Sequence, residues 1–166
     1  MYPSLRAMIQ DHPFFHAMKP EHLDAIAACA TEATFKSDQV LFREVEPASQ
    51  FYHIEKGRIA LEAHEPADGT VLVQYLGAGD ALGWSWLFPP FVWHFQARAL
   101  EPTKAIVLNG AHLLVTSERD HEFGYELMKR VAQIVIQRLQ AARKQLLTQQ
   151  TQSGSNNPSA RRNSGK

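Results

Sequence analysis

Two hydrophobic periods divide this chain, a helical one towards both ends and an alternating one in the middle. Leu23, Ile26 and Ala27 recur at helical spacing behind Pro20, with Glu21 and Asp24 in the early turns, and this predicts a helix. A shorter helix is predicted over residues 5–10. From Thr31 to about Asn109 the runs become short and β-like: VLFRE, FYHIEKG, RIALEAHE, TVLVQYL, FQARAL and AIVLN, parted by Gly, Pro and Asp. Many short strands punctuated in this way predict a β-sandwich or barrel. Lys56-Gly57 reads as a hairpin turn between two alternating strands, and Pro66-Ala67-Asp68-Gly69 as the turn of a second hairpin. Gly77 and Gly79-Asp80 mark another turn.

Helical spacing returns after Asn109-Gly110, first in AHLLVTSERD and then from His121 to about Thr148 without a proline. On the long segment Met128, Val131, Val135, Leu139, Ala142 and Leu146 follow at steps of 3, 4, 4, 3 and 4, the seam of a helix that pairs with another helix. Such a helix spans roughly 40 Å at 1.5 Å per residue, more than a small sandwich covers. Part of the stripe is therefore assigned to a second copy of the chain; packing wholly within the chain is the alternative.

The organisation expected is N-terminal helices over 1–30, a β domain over 31–109, C-terminal helices over 110–148 and a disordered tail over 149–166. The tail has no apolar residue beyond alanine to offset its ordering entropy, and Arg161, Arg162 and Lys166 make it weakly positive. A chain of 166 residues fits one domain. Lysine plus arginine total 17, as do aspartate plus glutamate, so there is no net charge to draw the chain to nucleic acid or a membrane surface. No apolar run has signal-peptide or membrane-spanning character, and a cytoplasmic location is expected. The single cysteine, Cys29 in AIAACA, reads as a small buried thiol on a helix.

All three tryptophans fall in GDALGWSWLFPPFVWHFQARA, residues 79–99. A Gly turn, strands and a short helical turn meet there, and backbone N–H groups at such a junction can cradle an anion. Upstream, FYHIEKGRIAL resembles a strand-Gly-strand signature centred on Gly57. YLGAGDALGW resembles a Leu-Gly-x-Gly-Asp-x-x-Gly turn through Gly77, Gly79, Asp80 and Gly83. On these motifs the chain resembles, over about residues 12 to 147, cyclic-nucleotide-binding domains of the catabolite activator type. The resemblance implies a mainly β fold with flanking helices: a double-stranded β-helix, or jelly roll, followed by a long C-terminal dimerisation helix. It also implies a phosphate-binding cassette, degenerate here, at 83–99.

In that family the cassette opens with Gly-Glu, whose carboxylate holds the ribose hydroxyl, and closes with an arginine for the cyclic phosphate. Here Gly83 is followed by Trp84, and counting back from Ala97-Arg98-Ala99 places Trp93 at the arginine. A charge-assisted arginine–phosphate pair is worth roughly 1.5–3 kcal/mol, so ordinary cyclic AMP binding is not expected. Backbone N–H groups near Ser85 to Leu87, or His94 or Arg98 standing in for the missing charge, leave a non-standard pocket open. Alternation directs Arg98 away from the cassette. The candidate ligand-binding residues are Gly83, Trp84, Ser85, Trp86, Trp93 and His94. The aromatic residues either fill a vacated pocket themselves or, with Phe88, Phe91 and the rigid Pro89-Pro90 pair, offer an anchor to a partner.

Relatives that regulate transcription continue into a helix-turn-helix domain; this chain carries none, so DNA recognition is not expected. Size, ending and Trp-rich cassette resemble the small dimeric accessory subunit of the cytoplasmic NAD-reducing nickel-iron hydrogenase. That implies a non-catalytic accessory subunit docking on the diaphorase part of an NAD(P)-linked oxidoreductase. A free-standing small-molecule or nucleotide sensor is the alternative. No cofactor is expected, and binding of cyclic AMP or NADPH is left open. His12 and His16 stand four residues apart, but Pro13 intervenes and no third metal ligand is evident; Ser85 lacks the closing glycine of a nucleophile elbow. No enzyme chemistry is expected.

Overall fold

The computed structural model describes residues 4–154. Two short helices, α1 (Leu5–Asp11) and α2 (Pro20–Ala28), flank a 3-10 turn at Pro13–Phe15. Eight strands follow: β1 (Ala30–Phe35), β2 (Val40–Phe42), β3 (Gln50–Lys56), β4 (Arg58–Glu65), β5 (Gly69–Gly77), β6 (Ala81–Leu82), β7 (Gln96–Ala99) and β8 (Thr103–Asn109). The chain closes with α3 (Gly110–Arg119) and α4 (His121–Gly154). The strands form two antiparallel sheets, ordered β1-β8-β3-β6 and β2-β7-β4-β5. This is the mainly β architecture with flanking helices anticipated from the sequence. β1 and β6 carried no legible signal: β1 has the small and polar sequence ATEATF, and β6 has two residues.

Alternation explains how the first sheet is held. On β3, Phe51 joins the core beneath the helices while Tyr52 and Ile54 face the second sheet; on β8, Ile106 and Leu108 face the helices and Val107 faces the second sheet. Both faces of these strands are covered, which is why β8 reads as a continuous apolar run, AIVL. The helices thereby bury Phe15, Ile26, Leu113 and Phe123 against one face. Between the sheets lie Ile54, Ile59, Leu61, Leu76 and Leu82.

The Lys56-Gly57 turn is not a hairpin. β3 and β4 belong to different sheets, and Gly57 is the corner at which the chain crosses between them. Its φ is +103°, and a Cβ there would lie 2.7 Å from the Thr103 Cα and 2.8 Å from the Pro102 carbonyl oxygen. Two alternating runs around a glycine look alike whether the strands pair or part. The Pro66–Gly69 turn does close a hairpin, with β4 and β5 in register from Arg58↔Gly77 to Glu65↔Gly69.

α4 departs from expectation in register and length. Its buried positions are Phe123, Leu127, Val131, Ile134 and Arg138, so Val131 belongs to the chain's own core and not to the outward seam. With the exposed Ala132 in its place, the outward positions Met128, Ala132, Val135, Leu139, Ala142 and Leu146 step by 4, 3, 4, 3 and 4, a closer match to a helix-pairing seam. Leu139 is 69% exposed, Leu146 61% and Met128 43%, while Ala142 is half-buried. At 34 residues α4 is about 51 Å long. It runs to Gly154, into what the sequence reads as tail. Residues 149–154 include good helix formers, and the Thr148 and Thr151 hydroxyls donate to the Lys144 and Leu147 carbonyls at 2.9 and 3.0 Å. Residues 155–166 of the expected tail lie outside the described residues. Among the described residues no helix is long and apolar enough to cross a membrane.

Candidate functional site

The expected cassette is assembled by β6, a 3-10 turn at Ser85–Leu87, an irregular loop and β7. Gly83 opens it with φ +87°. A Cβ on Gly83 would meet Trp93 at 2.9 Å and the Gln50 carbonyl oxygen at 3.2 Å, so the residue is glycine on steric grounds as well as conformational ones. The Trp93 indole lies against it and stacks on Phe42, with ring centroids 4.0 Å apart and planes 19° apart. Tyr52 closes on the same rings, and burial pushes its phenol up to about 12; its hydroxyl donates to Gln50 Oε1 at 2.7 Å.

The cavity that remains, bounded by Phe42, Leu61, Ser85, Trp93 and His94, has a volume of about 20 Å³. That is room for about one water molecule, whereas small-molecule sites occupy roughly 300–1,000 Å³. The polar groups near it are committed to one another: Ser85 is buried, and its hydroxyl is 3.0 Å from His94 Nδ1. Among the described residues no aspartate, glutamate, lysine or arginine lines the cavity.

The six candidate residues are thus brought to one segment but not to one open pocket. Trp93 is part of the inter-sheet core. Trp86 belongs to the other core, beneath the helices, packed so tightly on α3 that a Cβ on Gly110 would lie 2.7 Å from its ring. Trp84 is half-buried and packs against the core beneath the helices, its ring 5.8 Å from the Arg138 guanidinium. His94 is exposed. The aromatic residues left outward are Phe88, 41% exposed, and Phe91, 43% exposed, on a loop whose Pro89-Pro90 bond is cis. Trp93 fills the cassette itself, Trp86 belongs to the core beneath the helices, and Phe88 and Phe91 are the aromatic residues of the loop left outward.

Arg98 points away, as alternation required. Ala97 and Ala99 face inward, and the Arg98 guanidinium pairs with Glu62, and with Asp38 at 3.1 Å. Burial works to raise the Glu62 carboxyl; the hydrogen bonds from Arg98 and Gln96 outweigh it and hold the group below the usual carboxylate range. Arg98 cannot lend its charge to the cassette without abandoning a buried carboxylate.

Two residues escaped the sequence reading. Arg138 follows Val131 and Ile134 on the core stripe of α4, and a cation at that position of the 3.6 period was the available signal. His53 is completely buried among Phe14, Phe15, Phe51 and His12, and neither of its ring nitrogens has a partner. His12 accepts from the Phe14 N–H through Nδ1 and meets the Ile54 carbonyl through Nε2, so it is engaged in holding the first 3-10 turn. Among the described residues no cluster of three or more His, Cys, Asp or Glu side chains is placed to hold a metal.

Comparison with curated proteins finds no match. Among solved structures, a protein from Geobacter metallireducens described as cyclic nucleotide-binding is 29% identical, with a TM-score of 0.71 over 84% of this chain and 99% of that one. A cyclic nucleotide-binding domain from Methylobacillus flagellatus is 17% identical, with a TM-score of 0.74 over 87% and 82%. The catabolite activator protein of Thermus thermophilus, 20% identical, gives 0.66 over 83% and 63%. The last two likenesses are of fold. The family model for the cyclic nucleotide-binding domain matches residues 32–120, more than half of the chain and the whole β domain from β2 onward. This chain belongs to the cyclic nucleotide-binding domain family.

Proposed function

We propose that this chain is a non-catalytic regulatory domain whose cassette no longer takes a cyclic nucleotide and which acts as a homodimer on a partner protein. The observation that carries the reading is the Trp93–Phe42 stack, which leaves the cassette a volume of about 20 Å³; the sequence resemblance implies that Trp93 stands at the position of the family's phosphate-binding arginine. Admitting a cyclic nucleotide would require expelling a core tryptophan and would leave the phosphate without a cation. The outward seam of α4, from Met128 to Leu146, supports pairing with a second copy. Exposed Phe88 and Phe91 supply an aromatic docking point of the kind enriched at interface hot spots. A partner of the NAD(P)-linked oxidoreductase class, such as a hydrogenase diaphorase module, rests on sequence resemblance alone.

Titration of the purified chain with cyclic AMP and cyclic GMP to millimolar concentration tests the reading. No saturable heat and no rise in melting temperature are expected; a saturable rise of several degrees would restore the sensor reading. For the partner, the chain is isolated from its native cell. Stoichiometric oxidoreductase subunits that are lost on Phe88→Ser with Phe91→Ser support docking, and an unaccompanied dimer contradicts it.

A further inference from the structure

A cleft of about 640 Å³ lies apart from the cassette, between α4, the Pro13–Phe15 turn and the Gly79–Ala81 turn. Its size is that of an ordinary small-molecule site. Arg138, only 8% exposed, forms part of its wall. Its guanidinium donates to Gln74 Oε1 at 2.8 Å and to the Ala81 carbonyl at 2.9 Å, both neutral acceptors, and its Nε is buried without a partner. Among the described residues no carboxylate forms an ion pair with it. Burial pushes it down to about 10, against the pull of Asp80. A buried cation is ordinarily matched by an anion.

The two carboxylates of the lining, Asp80 and Glu126, form no ion pair with Arg138. Lys129 and Arg130 share a single carboxylate, Glu126, and Asp80 spends one oxygen on the Gly77 N–H at 2.8 Å. Among the described residues the lining thus sets three basic side chains, Lys129, Arg130 and Arg138, against two carboxylates. At 100° per residue, Lys129, Gln133 and Gln137 lie about 100–180° around α4 from the Val135–Leu139 seam, so pairing of two copies along the seam leaves the cleft open.

We propose that this cleft binds a small oxyanionic molecule, one bearing phosphate or carboxylate groups, with Arg138 as its anchor and Lys129 at its rim. The guanidinium has five N–H donors, of which two are used, and its planar fork suits either oxyanion. The site is separate from the cassette and stands or falls independently of the reading given for it.

The test is calorimetric and thermal-shift titration of the full chain with pyrophosphate and with citrate, with sodium chloride at matched ionic strength as control. Saturable binding below about 10 mM is expected for at least one of them, and the stronger identifies the phosphate or the carboxylate class. Arg138→Gln should weaken it by about tenfold or more, corresponding to loss of one charge-assisted contact. Lys129→Glu, at a half-exposed position, should weaken it several-fold and serves as the test if Arg138→Gln fails to fold. Absence of saturable binding by either anion, an equal response to chloride, or undiminished binding by Lys129→Glu would overturn the proposal.

Discussion

Gly83 and Trp93 fit only as a pair: the space that any side chain at position 83 would need, 2.9 Å from its Cβ, is occupied by the Trp93 ring. The positive φ of Gly83 adds strain to any replacement. Gly83→Ala should therefore lower stability by about 1–3 kcal/mol. Trp93→Ala, which empties the stack on Phe42, should cost about 3–5 kcal/mol. Urea denaturation followed by tryptophan fluorescence measures the first, and by circular dichroism the second; wild-type stability in both variants would contradict the packing described.

The seam and the core stripe of α4 are one residue apart at Val131 and Ala132, and they respond differently to charge. Val135→Glu with Leu139→Glu should give a folded monomer by light scattering. Val131→Glu should instead unfold the chain, because it buries an unpaired carboxylate. A dimer mass unchanged by the double substitution would refute pairing through α4.

Acid should loosen the attachment of the first 3-10 turn. Complete burial, and then the neighbouring His12, hold His53 well below the ordinary imidazole range; burial also lowers His12, with the Ile54 carbonyl and Asp80 opposing. Both rings take up a proton less readily in the folded chain than in the unfolded one. Their contribution to stability is complete above about pH 6.5 and is lost progressively as the pH falls below it. Unfolding free energies at pH 8 and pH 5 should differ in that direction, and His53→Leu should shrink the difference. A pH-independent stability, or a dependence unchanged in His53→Leu, would contradict this.

On the outer face, Glu62 is buried and Arg98 is a third exposed. Arg98→Met strands the carboxylate and should cost about 1–3 kcal/mol. Adding Glu62→Gln should recover part of that loss, and the two effects should be non-additive in a double-mutant cycle. Strict additivity would mean that the pair contributes nothing as a pair.

How far the sequence reached is clearest at three places. The motifs around Gly57 and Gly83 identified the family, because a left-handed backbone or a close approach leaves a local mark, glycine. The same Gly57 reads from sequence as a hairpin turn, because whether two strands pair with each other or with others depends on β5, β7 and β8, which are distant in sequence. In α4 the period showed an amphipathic helix, but Val131 and Ala132 are both apolar, and the orientation of the barrel decides which of them turns inward.

The sequence by itself determined the succession of helices, a strand-rich middle and a long closing helix, the positions of the glycine turns and the crowding of three tryptophans into residues 79–99, since each is written in local residue chemistry. Tertiary structure alone decided where the three tryptophans went: Trp93 between the sheets, Trp86 beneath the helices and Trp84 beside Arg138. It also decided that Arg138 is buried, with no ion pair among the described residues. Burial and partners are set by residues dozens of positions away, and a one-dimensional pattern carries hydrophobicity but not the identity of what it packs against.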